Sequence, residues 1–329
     1  MIARRLWFSL ALASCTFACS SQRPAPASPR PVHGVCFMPR HRSLAAQPLR
    51  PQDWLKLLVK LELGREAIVA LRDCTGQPIR EPVGNCRQAS EPGARPVPAP
   101  IRQASVIERS LNAEQSLLWV VSHRLPSGEG FGPLALARRT PLGVEVEALG
   151  NLSMRTERVK LELWRVRNET LIMASGEVCR ASASAANSGN AKSCRRAVRM
   201  FVQRRGALVE APLLSYQGRC VQPTPLELEM RQQVPIAGGL RRNFELSSAL
   251  SHDARQIRLE ERLIVRDSDP NLPLAAAREV QRIEATRFIR VSAGRLYTQQ
   301  RPLWNQALPK LMPANNGEPN SAGRAMTQR

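Results

Sequence analysis

Residues 159–163 read VKLEL, and so do residues 59–63. In both copies Val and Leu alternate with Lys and Glu, the pattern of a strand with one face in a core and the other in water. The second copy decides the fold, because its surroundings continue the pattern. RVKLELWRV (158–166) is followed by TLIMASGEVC (170–179). Upstream come SLLWVVSHRL (116–125), a PSGEG turn, FGPLALARR, a PLG turn, VEVEAL and a GN turn. Downstream come AVRMFVQ, ALVEAPLL, PLELEM, NFELSSAL, IRLEERLIV and the hairpin FIRVSAGRLYT (288–298). Apolar-alternating segments every 8–12 residues, separated by turn residues, predict a mainly β fold. The expected form is an antiparallel sandwich or meander, with room for two β subdomains.

The first copy reads differently. VKLELGREAIVAL (59–71) suggests a hairpin around Gly64-Arg65-Glu66, but Trp54, Leu57, Leu58 and Leu61 also fit helical spacing over 53–63. Both copies lead to a second apolar run, a Cys, a loop and another Cys, yet the intervals differ and the identities fade outside the word. Repeat architectures show sustained self-similarity at one period. The two words therefore read as two strands meeting one physical demand, each leading to a disulfide-closed loop.

The N-terminus is MIARRLWFSLALASCTFACSSQ. Arg4 and Arg5 precede an uncharged apolar run, Leu6 to Ala13, too short for the roughly 20 apolar residues of a spanning helix. This is the layout of a secretory signal peptide. Leu12-Ala13-Ser14-Cys15 resembles the lipobox of bacterial lipoproteins, a resemblance confined to this segment. It implies diacylglyceryl transfer to the Cys15 sulfur, cleavage before it, and acylation of the new N-terminus, giving stable anchoring by more than one chain. Cys19, in Thr16-Phe17-Ala18-Cys19, is the rival acceptor. It fits the pattern less well, but cleavage before it leaves an even number of thiols. Neither Thr16 nor Ser20 is Asp, which by the same resemblance points to the outer membrane, on its periplasmic side or at the cell surface.

The expected organisation follows from composition. Residues 1–14 (or 1–18) are the signal, 15–50 a Pro-rich tether, and 51–86 a small β segment. Residues 87–104 are a Pro-rich linker, 105–303 the main antiparallel domain, and 304–329 a disordered tail. Apolar residues make up 43% of the chain, enough for a core. The net charge is +21, and only five of the 48 basic residues are Lys, the rest being Arg. Arg stays charged at any physiological pH, so the chain attracts anionic partners: acidic glycan, lipopolysaccharide, lipid head groups or another envelope protein. Nucleic acid is the weaker candidate, because aromatics are only 4% and no nucleic-acid-binding motif is visible. The Arg residues are spread along the chain, which reads first as a solvated β surface.

Beyond the signal stand Cys36, Cys74, Cys86, Cys179, Cys194 and Cys220. Six thiols in an exported chain favour disulfides. Short Gly/Ser/Pro-containing loops suggest Cys74–Cys86 and Cys179–Cys194, leaving Cys36 with Cys220. No cofactor or metal motif is read. His33, Cys36 and His41 lack the paired spacing of a zinc site. Ser251-His252-Asp253 has the letters of a triad but, being consecutive, not its geometry. Ser127–Gly132 lacks the strand–helix context of a phosphate loop. Glu260 and Glu261 face opposite sides of a strand, with Arg258 and Arg262 expected to pair with Glu260, and Asp267 and Asp269 read as a turn. Trp54, Trp119 and Trp164 read as packing residues before sugar platforms. The expectation is a non-enzymatic envelope protein, with an Arg-driven polysaccharide module or an envelope hydrolase as alternatives.

Overall fold

The structure is a computed structural model that describes residues 35–40, 47, 49–63, 68–80, 86, 97–125, 127–181, 192–273 and 276–311. In chain order the elements begin with β1 (Cys36–Pro39), α1 (Pro51–Leu58), β2 (Val59–Leu63), β3 (Ile68–Asp73) and β4 (Val97–Pro98). There follow β5 (Ser105–Ser110), β6 (Gln115–Val121), β7 (His123–Arg124), β8 (Gly130–Thr140), β9 (Gly143–Met154), β10 (Lys160–Val166) and β11 (Glu169–Ala181). Next come β12 (Lys192–Arg204), β13 (Ala207–Glu210), β14 (Leu213–Leu214), β15 (Cys220–Gln222), β16 (Leu226–Glu227) and β17 (Glu229–Pro235). The last are β18 (Arg241–His252), β19 (Ile257–Ser268), β20 (Arg278–Ser292), β21 (Arg295–Tyr297) and α2 (Leu303–Leu311).

The strands form two large sheets and one hairpin. The first sheet follows the order β10-β11-β12-β13-β9-β8-β6-β5, with β1 on β9, β16 on β12 and β4–β7 on β8. The second runs β15-β14-β21-β20-β19-β18-β17, and β2–β3 stand alone. The first sheet curls until its ends meet. The Arg109 guanidinium of β5 donates to the Leu161 carbonyl of β10 and lies 3.7 Å from Glu162. Inside the curl, Leu117, Trp119, Leu134, Leu152, Ile172 and Phe201 form one buried cluster. Leu161, from the second VKLEL, joins it.

A bulge lets β9 serve both faces of this sheet. Leu136 pairs with Ala148 but Ala137 pairs with Val146, so Glu147 is an extra residue. The alternation shifts there. Ala148 and Leu152 point into the curl, while Val144 and Val146 join Leu118, Val120 and Ala135 on the outside. That outer face is covered by α1, whose Trp54, Leu55, Leu57 and Leu58 are buried. Pro51 suits the first turn of α1, where its missing N–H has no role. The Asp53 carboxylate accepts from Arg50 N at 3.1 Å. On the opposite side, Leu171, Met173, Val198, Met200 and Val202 of β11 and β12 pack against Ile257, Leu259, Ile289, Val291 and Leu296 of the second sheet.

The mainly β, disulfide-stapled reading holds. Both VKLEL words are strands, and Trp54 and Trp119 are fully buried. Several expectations are corrected. Residues 53–58 are helical, because the apolar face of α1 caps the outside of the curled sheet. Only Val59 of β2 is buried, while Leu61 and Leu63 are exposed at the hairpin tip. Within the expected tether, Cys36–Pro39 pair with Val146–Gly143 as β1. Within the expected linker, Val97–Pro98 pair with Arg124–His123. Residues 51–80 are no separate subdomain, since Trp54 and Ala70 share one core with Leu118 and Val146. Residues 303–311 are α2, whose Leu303, Trp304 and Ala307 bury against Phe244, Leu246, Leu263 and Val265.

The disulfides are Cys36–Cys74, Cys86–Cys220 and Cys179–Cys194. Cys179–Cys194 is as expected, on paired positions of β11 and β12. The Cys74–Cys86 and Cys36–Cys220 pairings are overturned. β1 runs alongside the α1–hairpin unit, which places Cys36 and Cys74 with Cα atoms 6.2 Å apart. Cys86 reaches Cys220 of β15 instead. The signal peptide, Cys15, Cys19, His33, His41, the Gly64–Glu66 turn and the tail beyond residue 311 lie outside the described residues.

Candidate ligand-binding face

The second sheet uses one face for both of its cores and leaves the other open. On β19 the odd residues Ile257, Leu259, Leu263 and Val265 are buried, and Glu261 stands between them at 3% exposure. It meets Arg287 of β20 through Nε–Oε2 at 2.8 Å and Nη2–Oε1 at 2.9 Å. Arg287 Nη2 also donates to Gln222 Oε1 at 2.8 Å, and Leu303 N donates to Glu261 Oε2 at 3.2 Å. This polar bridge joins β15, β19, β20 and the first residue of α2. It also separates the core shared with the curled sheet from the core under α2. Glu261 is thus structural, and it does not converge with Glu260.

The open face starts as a ladder of compensated charges. Arg266 meets Glu245 at 2.6 Å, Arg282 meets Glu279 at 2.9 Å, and Arg262 meets Glu284 at 3.6 Å. On the opposite face, beside α2, hydrogen bonds from Arg242 hold the Asp267 carboxyl below the usual carboxylate range, and Arg242 also donates to the Leu311 carbonyl at 3.2 Å. Asp267 is therefore a strand residue in a two-pronged ion pair, while Asp269 alone makes the turn, accepting from Asn271 N at 2.8 Å. Arg258 pairs with Asp253 at 3.0 Å, not with Glu260 as expected. A trough of about 510 Å³ crosses the open face. Ser247, Ala249, Glu260, Arg262, Glu284 and Thr286 line it on the open side, so small side chains make the hollow.

Beyond Glu284 the acids stop. Residues 285–317 contain no Asp or Glu, and neither do residues 211–226. The fold brings these two runs together. Arg290 pairs across strands with Tyr297, Ser292 with Arg295, and β14 lies parallel to β21 with Leu214 opposite Tyr297. Tyr216 follows β14. The chain has only two Tyr residues, and their rings stack here, with centroids 5.8 Å apart and planes at 11°. The Arg290 guanidinium lies 6.0 Å from the Tyr216 ring centre. Tyr216 is 47% exposed and Phe288 43%. Arg219, Arg290 and Arg295 have no acidic partner among the described residues. A cleft of about 240 Å³ adjoins them, lined in part by Arg204, Arg295, Gly218 and the Cys86–Cys220 pair. Arg204 is engaged, since its Nη2 donates to the carbonyls of Ala293 and Gly294 in the β20–β21 turn. Both turn residues have positive φ, 49° and 64°, and a Cβ on Gly294 would sit 2.5 Å from Arg204 Nε.

The other candidates do not converge. His123 Nδ1 lies 2.8 Å from Ser122 Oγ, and burial lowers its pKa to about 4. His252 stacks on Trp164 at 4.4 Å. Neither imidazole has a hydrogen-bonded carboxylate among the described residues. Asp253 instead organises the β18–β19 turn, accepting from Arg255 N and Gln256 N at 2.7 and 3.0 Å. Cys36 is committed to a disulfide, and no three potential metal ligands gather among the described residues. Gly128 shapes the turn before β8 with φ 85°. The reading of the sequence passed over Tyr216 and Tyr297. The two acid-free runs were the signal that pointed to them. Comparison with protein-family models, curated proteins and solved structures finds no match to this chain.

Proposed function

We propose that this is a lipid-anchored, non-enzymatic protein of the cell envelope, carried at the outer membrane. It acts as a binding or assembly accessory and meets an anionic partner on the open face of its second sheet. The observation that carries this reading is the acid-free end of that face. Most arginines elsewhere on the face are neutralised by a Glu or Asp, whereas Arg219, Arg290 and Arg295 project a positive field uncompensated. The lipobox-like Leu12–Cys15 and three disulfides support an exported chain.

Labelling cells with an alkyne fatty acid tests the anchor. The wild type should label and fractionate with membranes, and the Cys15→Ser/Cys19→Ser double variant should do neither. Identical behaviour of the two would remove the anchor. Titration with a polyanion at low and physiological salt tests the face. Binding should weaken steeply with salt, and absence of binding at low ionic strength would remove the anionic partner.

A further inference from the structure

We infer that the Tyr216–Tyr297 end of the open face is a binding site for an acidic polysaccharide. This rests on the anionic-partner reading above and adds to it the chemistry of the ligand. Charge alone needs only arginines. Here exposed aromatic rings are interleaved with them: Phe288 and Arg290 alternate along β20, Tyr297 lies across from Arg290, and Tyr216 stacks on Tyr297. An aromatic side chain offers a flat apolar face with little entropy to lose on binding. The C–H face of a pyranose ring can lie on it, while a guanidinium fork takes the carboxylate of the same or the next sugar.

The shape argues for a chain rather than a small anion. A site for a single phosphate gathers backbone N–H groups or buried donors around one point. These arginines are instead exposed and spread over β20, β21 and the turn after β14. Single-stranded nucleic acid also uses aromatic rings and arginines. Three disulfides suit an oxidising compartment outside the cytosol, away from the cell's nucleic acid, which favours glycan.

The test uses the mature full chain and calorimetric titration with pentagalacturonate. Comparison ligands are maltopentaose, polyphosphate of equal charge and a ten-residue oligo-dT. Pentagalacturonate should bind and maltopentaose should not. Arg290→Gln/Arg295→Gln should weaken binding about tenfold or more, the loss expected for charged hydrogen bonds. Tyr216→Ala should weaken it about fivefold or more, and Tyr216→Phe should restore it, because the ring and not the hydroxyl is used. Arg231→Gln/Arg262→Gln, on the compensated part of the same face, should change little. All these side chains are exposed, and near-UV circular dichroism reports retained packing. Polyphosphate binding as tightly as the uronate, with Tyr216→Ala neutral, would overturn the saccharide and leave the anionic reading standing. Tighter binding of oligo-dT would also overturn it, in favour of nucleic acid. No binding of any polyanion at low salt would remove both readings.

Discussion

His123 shows how one buried residue sets a pH limit on the whole fold. It sits on β7 between Phe131 of β8, whose ring meets its own edge-on at 5.7 Å, and Pro98 of β4. Burial disfavours the imidazolium and lowers the pKa from 6.5 to about 4. The neutral form is therefore the folded one. Between these two values the unfolded chain binds a proton that the folded chain does not. Stability from this group is complete above pH 6.5 and is lost as pH falls toward about 4, by up to about 3 kcal/mol. Asp267, whose carboxyl is held below its ordinary value, adds a separate loss at the acid end of this range that wild type and variant share. Urea unfolding followed from pH 7 to 4.5 should show the loss in the wild type. In His123→Gln the slope across that window should flatten, and an unchanged slope would mean that the imidazole is not desolvated.

At the scale of elements, the Glu261–Arg287 bridge and α2 depend on each other. Glu261 accepts the first N–H of α2, at the helix end that favours negative charge. Arg287 is 1% exposed. Glu261→Gln leaves its guanidinium buried beside a neutral group, which should cost about 3–5 kcal/mol. Glu261→Leu/Arg287→Met removes both charges and should recover most of that loss in a double-mutant cycle by urea unfolding. Additive losses would mean that the two groups are not coupled. The bridge was not marked by the sequence, which offered Glu261 only as the neighbour facing away from Glu260, a polar interruption on the apolar face of IRLEERLIV. What was legible is the property local pattern controls: the strands of the 105–303 meander, each needing only its own alternation. The helix α1 was half legible, since its apolar positions also fit a strand. β1 and α2 were not, because four residues of strand and nine of helix acquire their reason only from the surfaces they cover. The two tyrosines were illegible for the same reason. They stand 81 residues apart in sequence and mean nothing until β14, which Tyr216 follows, lies beside β21.

At the scale of the whole molecule, the disulfide pattern decides which parts of the chain are tied together, and loop spacing was a poor guide to it. Short loops suggested that neighbouring cysteines pair, but pairing follows strand adjacency. Cys179 and Cys194 are 15 residues apart, on strands already joined by a long antiparallel register. Cys86 and Cys220 are 134 residues apart, and Cys220 belongs to the edge strand of the second sheet. A cross-link restricts the unfolded chain more when it closes a longer loop. The long link should therefore contribute more stability, by roughly 2 kcal/mol in the loop-entropy account. Chemical denaturation of Cys86→Ala/Cys220→Ala should show a larger loss than that of Cys179→Ala/Cys194→Ala. Peptide mapping of the oxidised wild type should recover a Cys86–Cys220 peptide and none joining Cys74 to Cys86. Should the short-loop variant prove the more damaged, β11 and β12 would owe their pairing to the bond rather than the bond to the pairing. The long link would then hold the β15 edge of the second sheet without stabilising the fold beneath it.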